Sequence, residues 1–162
     1  MSTRRTTLRA AGALAAATLL NGARAARADR APVLPRPTSL RAELERALAA
    51  RKALVLMVSL EGCPYCKQVR ESYLVPLRAA GQPVVQIELE GAAPLADLRG
   101  QASTHAQAVR DLGIRVAPTV LFLGRAGAEI APRLTGIASP DFYGAYLDER
   151  VESANRKAAT RS

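Results

Sequence analysis

Residues 53–67 read ALVLMVSLEGCPYCK. Ala53–Leu60 is apolar on both parities, which predicts a central strand covered on both faces. Gly62 ends the run and Cys63-Pro64-Tyr65-Cys66 follows at once. Pro64 suits the first turn of a helix, predicted to run to about Leu74 and to be kinked or ended by Pro76. Cys63 then falls at the N-cap, where free N–H groups and the positive end of the helix dipole stabilise a thiolate. Cys66 lies three residues on, within reach of a disulfide and turned more toward the body of the domain. An exposed, acidic thiol with a second thiol behind it can attack a partner's disulfide and then resolve the mixed disulfide.

Other uses of the pair fit less well. A disulfide closing so short a loop removes little entropy from the unfolded chain, so it is a poor staple. A zinc site needs more ligands than two thiolates, and the chain has one histidine, His105. Cu(I), which needs fewer ligands, keeps a metallochaperone reading open as the alternative from another functional class. Haem attachment requires His after the second cysteine, where Lys67 stands.

The rest of the chain supplies partners for the central strand. Asp29–Pro37 holds three prolines and reads as an extended leader. Ser39 caps a helix predicted to about Arg51, with Leu40, Leu44, Ala47 and Leu48 on one face. Val84–Leu89 reads as a strand, Gly91–Gly100 as a loop, and Ser103–Leu112 as a helix with His105 on its solvated surface. Thr119–Leu123 is a short apolar strand after Val116-Ala117-Pro118. Gly124–Gly127 carries the glycines of a hairpin turn, and Ala128–Leu134 returns as a strand whose Pro132 asks for an edge or a bulge. Ser139 caps a last helix opened by Pro140 and predicted to about Ala154, with Arg156–Ser162 as a frayed tail. The order predicts an α/β fold: a mixed sheet with helices on both faces.

Composition sets the bounds. The chain has 162 residues, 49% of them hydrophobic, two cysteines and a formal charge of +9. That describes one small domain with a real core. Five of the excess charges are Arg4, Arg5, Arg9, Arg24 and Arg27, and from Asp29 onward the excess is +4. No basic cluster interleaves with aromatics and Trp is absent, so nucleic acid is not an expected partner. The basic start, the Ala/Leu-rich Ala10–Leu20 and the Ala-Arg-Ala triplets before Asp29 read as a signal peptide over residues 1–28, cleaved after Ala28 or, as the second choice, Ala25, with an uncleaved N-terminal anchor as the alternative. Thr3–Arg9 resembles a twin-arginine export signal, with Thr7 where such signals usually carry Phe. The division expected is thus signal 1–28, leader 29–38, domain 39–154 and disordered tail 155–162. The protein is expected to be periplasmic, in an oxidising compartment.

Over most of residues 39–152 the chain resembles thioredoxin-fold proteins. The residues that carry the resemblance are Cys63-Pro64-Tyr65-Cys66 at the strand-to-helix junction and Val116-Ala117-Pro118-Thr119 before an apolar strand. The second segment is similar to the family's cis-proline loop, which implies a cis bond between Ala117 and Pro118. Glu61–Lys67 is similar to exported thioredoxin-like proteins of the SoxW/SoxS type and to the catalytic domain of disulfide isomerases such as DsbC. Glutaredoxins share Cys-Pro-Tyr-Cys, but the Gly-Gly-Asp type segment that holds glutathione in them is missing here.

The resemblance implies a thiol–disulfide oxidoreductase without cofactor or metal, acting more as a reductant. Cys63 would be the nucleophile and Cys66 the resolving thiol. Pro64, Tyr65, Ala117, Pro118 and Thr119 would contact substrate. Partners would be protein thiols and disulfides and a membrane redox protein. A monomer is expected, and an isomerase is the third reading, disfavoured because isomerases of the DsbC kind carry a separate dimerisation domain for which the 134 residues after Ala28 leave no room. The Trp that precedes the first cysteine in thioredoxin is Gly62, and the position of its buried Asp is Met57. Glu61 and Lys67 are expected as surface charges.

Overall fold

The computed structural model describes residues 33–137 and 140–160. The export signal, and the capping role expected of Ser139, lie outside the described residues. The elements are α1 (Leu40–Ala49), β1 (Leu54–Ser59), α2 (Pro64–Val69), a π-helical turn (Arg70–Leu74), α3 (Val75–Ala79), β2 (Val84–Glu88), β3 (Pro94–Ala96), β4 (Ala102–Thr104), α4 (His105–Asp111), β5 (Thr119–Leu123), β6 (Glu129–Thr135) and α5 (Pro140–Ala159).

The main sheet has the order β2-β1-β5-β6. β1 pairs parallel with β2, with Met57 opposite Gln86, and antiparallel with β5, with Val58 opposite Thr119. Every residue of β1 and of β5 is buried. Their side chains alternate between two cores, as the pleat requires. Val55, Met57, Val120 and Phe122 pack with Cys66, Val69, Tyr143 and Leu147 on one face, while Leu54, Leu56, Val58 and Leu121 meet Leu40, Leu44 and Val109 on the other. Helices therefore cover both faces, as expected: the fold is the thioredoxin fold.

Several expectations are corrected. The helix after the cysteines does not stop near Leu74. The π-helical turn breaks the regular ladder, so Pro76 falls in the first turn of α3, where its missing N–H costs nothing, and the chain stays helical to Ala79. The loop expected over Gly91–Gly100 contains β3, which forms a small antiparallel hairpin with β4. The helix expected from Ser103 starts instead at His105, where the Thr104 side chain accepts from the N–H of Gln107 at 3.2 Å. The C-terminal helix runs to Ala159 rather than about Ala154, because Tyr143, Leu147, Val151, Ala154 and Ala158 continue one buried stripe.

The proline-rich entry segment is extended but built into the fold. Leu34 is buried, and the N–H of Gln86 donates to the carbonyl of Pro35 at 2.9 Å. β6 is an edge strand, and Phe122 pairs with Ala131 while Val120 pairs with Leu134. Leu121 thus stands against both Pro132 and Arg133, a bulge that accommodates the proline.

Candidate functional site

The site is built at the end of the sheet where β1 stops and β5 starts. Leu60–Cys63 forms a tight turn, in which the N–H of Cys63 donates to the carbonyl of Leu60 at 3.3 Å. Gly62 sits in it at φ +73°, a left-handed backbone that side-chain-bearing residues rarely adopt. A Cβ at Gly62 would meet nothing within 4 Å, so backbone conformation and not space selects glycine there.

Cys63 is the N-cap of α2, and Pro64 occupies its first turn. The two cysteines form a disulfide with their Cα atoms 5.2 Å apart. They differ in environment. Cys63 is half-buried at the surface, while Cys66 is 1% exposed and packed among apolar neighbours. The backbone N–H of Cys66 donates to Sγ of Cys63 at 3.1 Å. In the dithiol that bond favours a thiolate on Cys63, because a hydrogen bond to the charged form stabilises it. Among the described residues no hydrogen bond reaches Sγ of Cys66, which lies in the same apolar core as Met57.

The Ala117–Pro118 peptide bond is cis, as the resemblance implied. Pro118 is buried immediately before β5, and its carbonyl accepts from the N–H of Gly136 at 2.7 Å. Thr119 is buried too, and its hydroxyl donates to the carbonyl of Val116 at 2.7 Å, which folds the loop back on itself. Thr119 pairs with Val58 across the β1–β5 ladder, which brings the cis-proline loop to the same end of the sheet as the cysteines. Ala117 and Cys63 pack on the same core. Tyr65 is 61% exposed and Val116 50%, large apolar side chains left open on the two segments of the site. Glu61 and Lys67 are exposed, as expected.

Three residues of the site's surroundings, Arg36, Gln86 and Glu88, were not singled out from the sequence, and Arg70, expected like Lys67 as a solvated charge, is instead partly buried against them. A groove of about 440 Å³ borders Cys63 on the β2 side, lined by Arg36, Lys67, Arg70, Glu61 and Glu88. Its wall is a polar chain. Arg70 donates to Oε1 of Gln86 at 3.2 Å, Gln86 to Oε1 of Glu88 at 2.7 Å, and Arg36 to the same oxygen at 2.9 Å. Gln86 faces the core of Met57 and Cys66, and Arg70 satisfies it there. The signal for this wall was legible in principle: Gln86 and Glu88 are polar at alternate positions of an otherwise apolar strand.

His105 is the clearest correction. It is 3% exposed, not solvated, and its Nδ1 accepts from the N–H of Glu88 at 3.1 Å. Its proton therefore sits on Nε2. Gly91 makes room for it, since a Cβ there would lie 2.9 Å from Cβ of Glu88 and 3.0 Å from that of His105. Burial holds the His105 pKa below its ordinary value, against the pull of Glu88 and with the help of Arg36. Among the described residues no three His, Cys, Asp or Glu side chains come together to hold a metal ion.

Comparison with known proteins agrees with this architecture. Residues 40–150 match the model of the thioredoxin-like domain. Among solved structures, a thioredoxin from Thermus thermophilus is 20% identical, with a TM-score of 0.51 over 78% of this chain and 91% of that one. The periplasmic thioredoxin SoxS from Paracoccus pantotrophus, in its reduced form, is 19% identical, with a TM-score of 0.42 over 64% of this chain and 99% of that one. Thioredoxin NaTrxh from Nicotiana alata is 15% identical, with a TM-score of 0.48 over 74% and 97%. No curated protein matches the sequence. With its Cys-x-x-Cys at a strand-to-helix junction and a family match over two thirds of its length, the chain belongs to the thioredoxin-like family.

Proposed function

We propose that the protein is an exported thiol–disulfide oxidoreductase that reduces disulfides in protein substrates. The observation that carries this reading is the asymmetry of the pair: Cys63 is partly exposed and receives an N–H at its sulfur, while Cys66 is buried behind it. In the dithiol, the Cys63 thiolate attacks a substrate disulfide. A Cys63–substrate bond forms and one substrate thiolate leaves. Cys66 then attacks Sγ of Cys63 and gives up its proton, the Cys63–Cys66 bond forms, and the second substrate thiol is released. Two electrons pass to the substrate, and an external donor must return them, for which a membrane redox protein is the natural class in an exported setting.

Substrate would dock as an extended segment along Val116-Ala117-Pro118, with Thr119 holding the loop and Pro64 and Tyr65 contacting the chain near the reacting sulfur. The reductant direction is supported by the modest stabilisation of the Cys63 thiolate. Its sulfur receives one backbone N–H, and Glu61 two residues earlier offsets part of the positive charge that Lys67 and Arg70 place beside it. Export is supported by the basic, Ala/Leu-rich first 28 residues.

The test is a pair of variants assayed for reduction of a protein disulfide. Cys63→Ser is expected to abolish activity, and Cys66→Ser to accumulate mixed disulfides visible on non-reducing gels. Turnover by Cys66→Ser at the wild-type rate would overturn the two-thiol mechanism.

A further inference from the structure

The sheet order gives the disulfide two flanks. β5 and the cis-proline loop lie on one side of β1, and β2 on the other. Cys63 itself lines a groove on the second flank, so a substrate segment joined to its sulfur has this groove beside it. That groove carries five charged side chains on a partly apolar wall, and it shares Arg36, Leu60, Glu61 and Glu88 with a second concavity that also contains Glu90 and Gly91.

Charge is not spread evenly along this path. Arg36, Glu61 and Glu88 line both parts, and Arg36 and Glu88 are paired with each other. Lys67 and Arg70 line only the part beside Cys63. Glu90 lines only the far part. Lys67 has no carboxylate partner among the described residues, and Arg70 is held by the neutral amide of Gln86, so neither charge is cancelled. The path is therefore cationic next to the reacting sulfur and anionic beyond it, with Glu61 the one unpaired acid shared by both parts.

Resting on the thiol-exchange reading above, we propose that this graded groove selects protein disulfides whose reacting cysteine has an acidic side chain next to it and a basic side chain further along. The acid meets Lys67 and Arg70, and the base meets Glu90 and Glu61. Such contacts at a solvated rim discriminate partners and speed encounter more than they add affinity, and salt weakens them.

The test uses the dithiol form of the full mature protein and three peptides, each carrying one cysteine in mixed disulfide with 2-mercaptoethanol. In the first, Asp flanks the cysteine on both sides and Lys stands outermost. In the second, Lys and Asp are exchanged, so composition and net charge are identical. The third carries neutral Gln throughout. The symmetric design removes any dependence on chain direction. The first peptide is expected to be reduced about fivefold faster than the second at low ionic strength. The difference should shrink below about twofold at high salt, where the Debye length falls to about 3 Å. Lys67→Glu should narrow or invert the preference. Equal rates for the first two peptides, or preference for the second, would overturn the proposal while reduction of the neutral peptide left the thiol-exchange reading standing. Failure to reduce even the neutral peptide would instead remove the reading on which the proposal rests.

Discussion

At the scale of single residues, the reactive centre announced itself and its supports did not. Cys63 and Cys66 are legible at their spacing, since a cysteine pair opening a helix has few good uses, whereas the reading of Pro118 came from the family resemblance. His105 was misjudged because a lone histidine near a helix start gives no sign of which way it faces. Its place is set by Thr104 capping α4 and by Gly91 leaving space against Glu88. This has a measurable consequence. Burial lowers the His105 pKa in the folded protein below 6.5, so the unfolded chain takes up its proton first as pH falls. The contribution to stability is complete above about pH 6.5 and is lost as pH drops from there toward the folded-state pKa. The urea midpoint is expected to fall between about pH 7 and pH 5.5, and His105→Gln to flatten that slope. Parallel pH profiles for the two proteins would contradict this assignment.

At the scale of elements, β1, β5 and β6 were readable because their patterns are strong: two fully apolar runs, then a hairpin and a proline that asks for an edge. The helix ends were not. Pro76 reads as a stop, yet the π-helical turn moves it into a first turn, a rearrangement no local pattern signals. The last helix runs past its expected end because tertiary contacts reward it. Asn155 accepts from the N–H of Ala53 at 2.9 Å and donates to Gln82 at 2.9 Å, while Gln82 donates to the carbonyl of Ala53 at 2.7 Å. This closed set of hydrogen bonds ties α5 to the start of β1 and the turn before β2. Asn155→Ala leaves the N–H of Ala53 unpaired in a buried setting, for which a loss of about 1–3 kcal/mol is expected in denaturant titrations. A loss below about 0.5 kcal/mol would mean that this end of the helix acts as an appendage.

At the scale of the whole molecule, the fold sets one half-exposed sulfur at the end of a four-stranded sheet, with a buried thiol behind it and different surfaces on its two flanks. In the proposed function Cys66 gives up its proton in apolar surroundings, where Met57 stands on the neighbouring strand. Among the described residues no helix is long and apolar enough to cross a membrane. In the proposed function Cys63 and Cys66 cycle as a reducing pair. The most direct measurement is the equilibrium reduction potential of the mature protein, by thiol trapping across buffers of defined potential. A fully reversible two-electron transition near that of thioredoxin, about −270 mV, is expected. A value near about −120 mV, the range of a strong disulfide donor, or a pair that does not cycle at all, would contradict it.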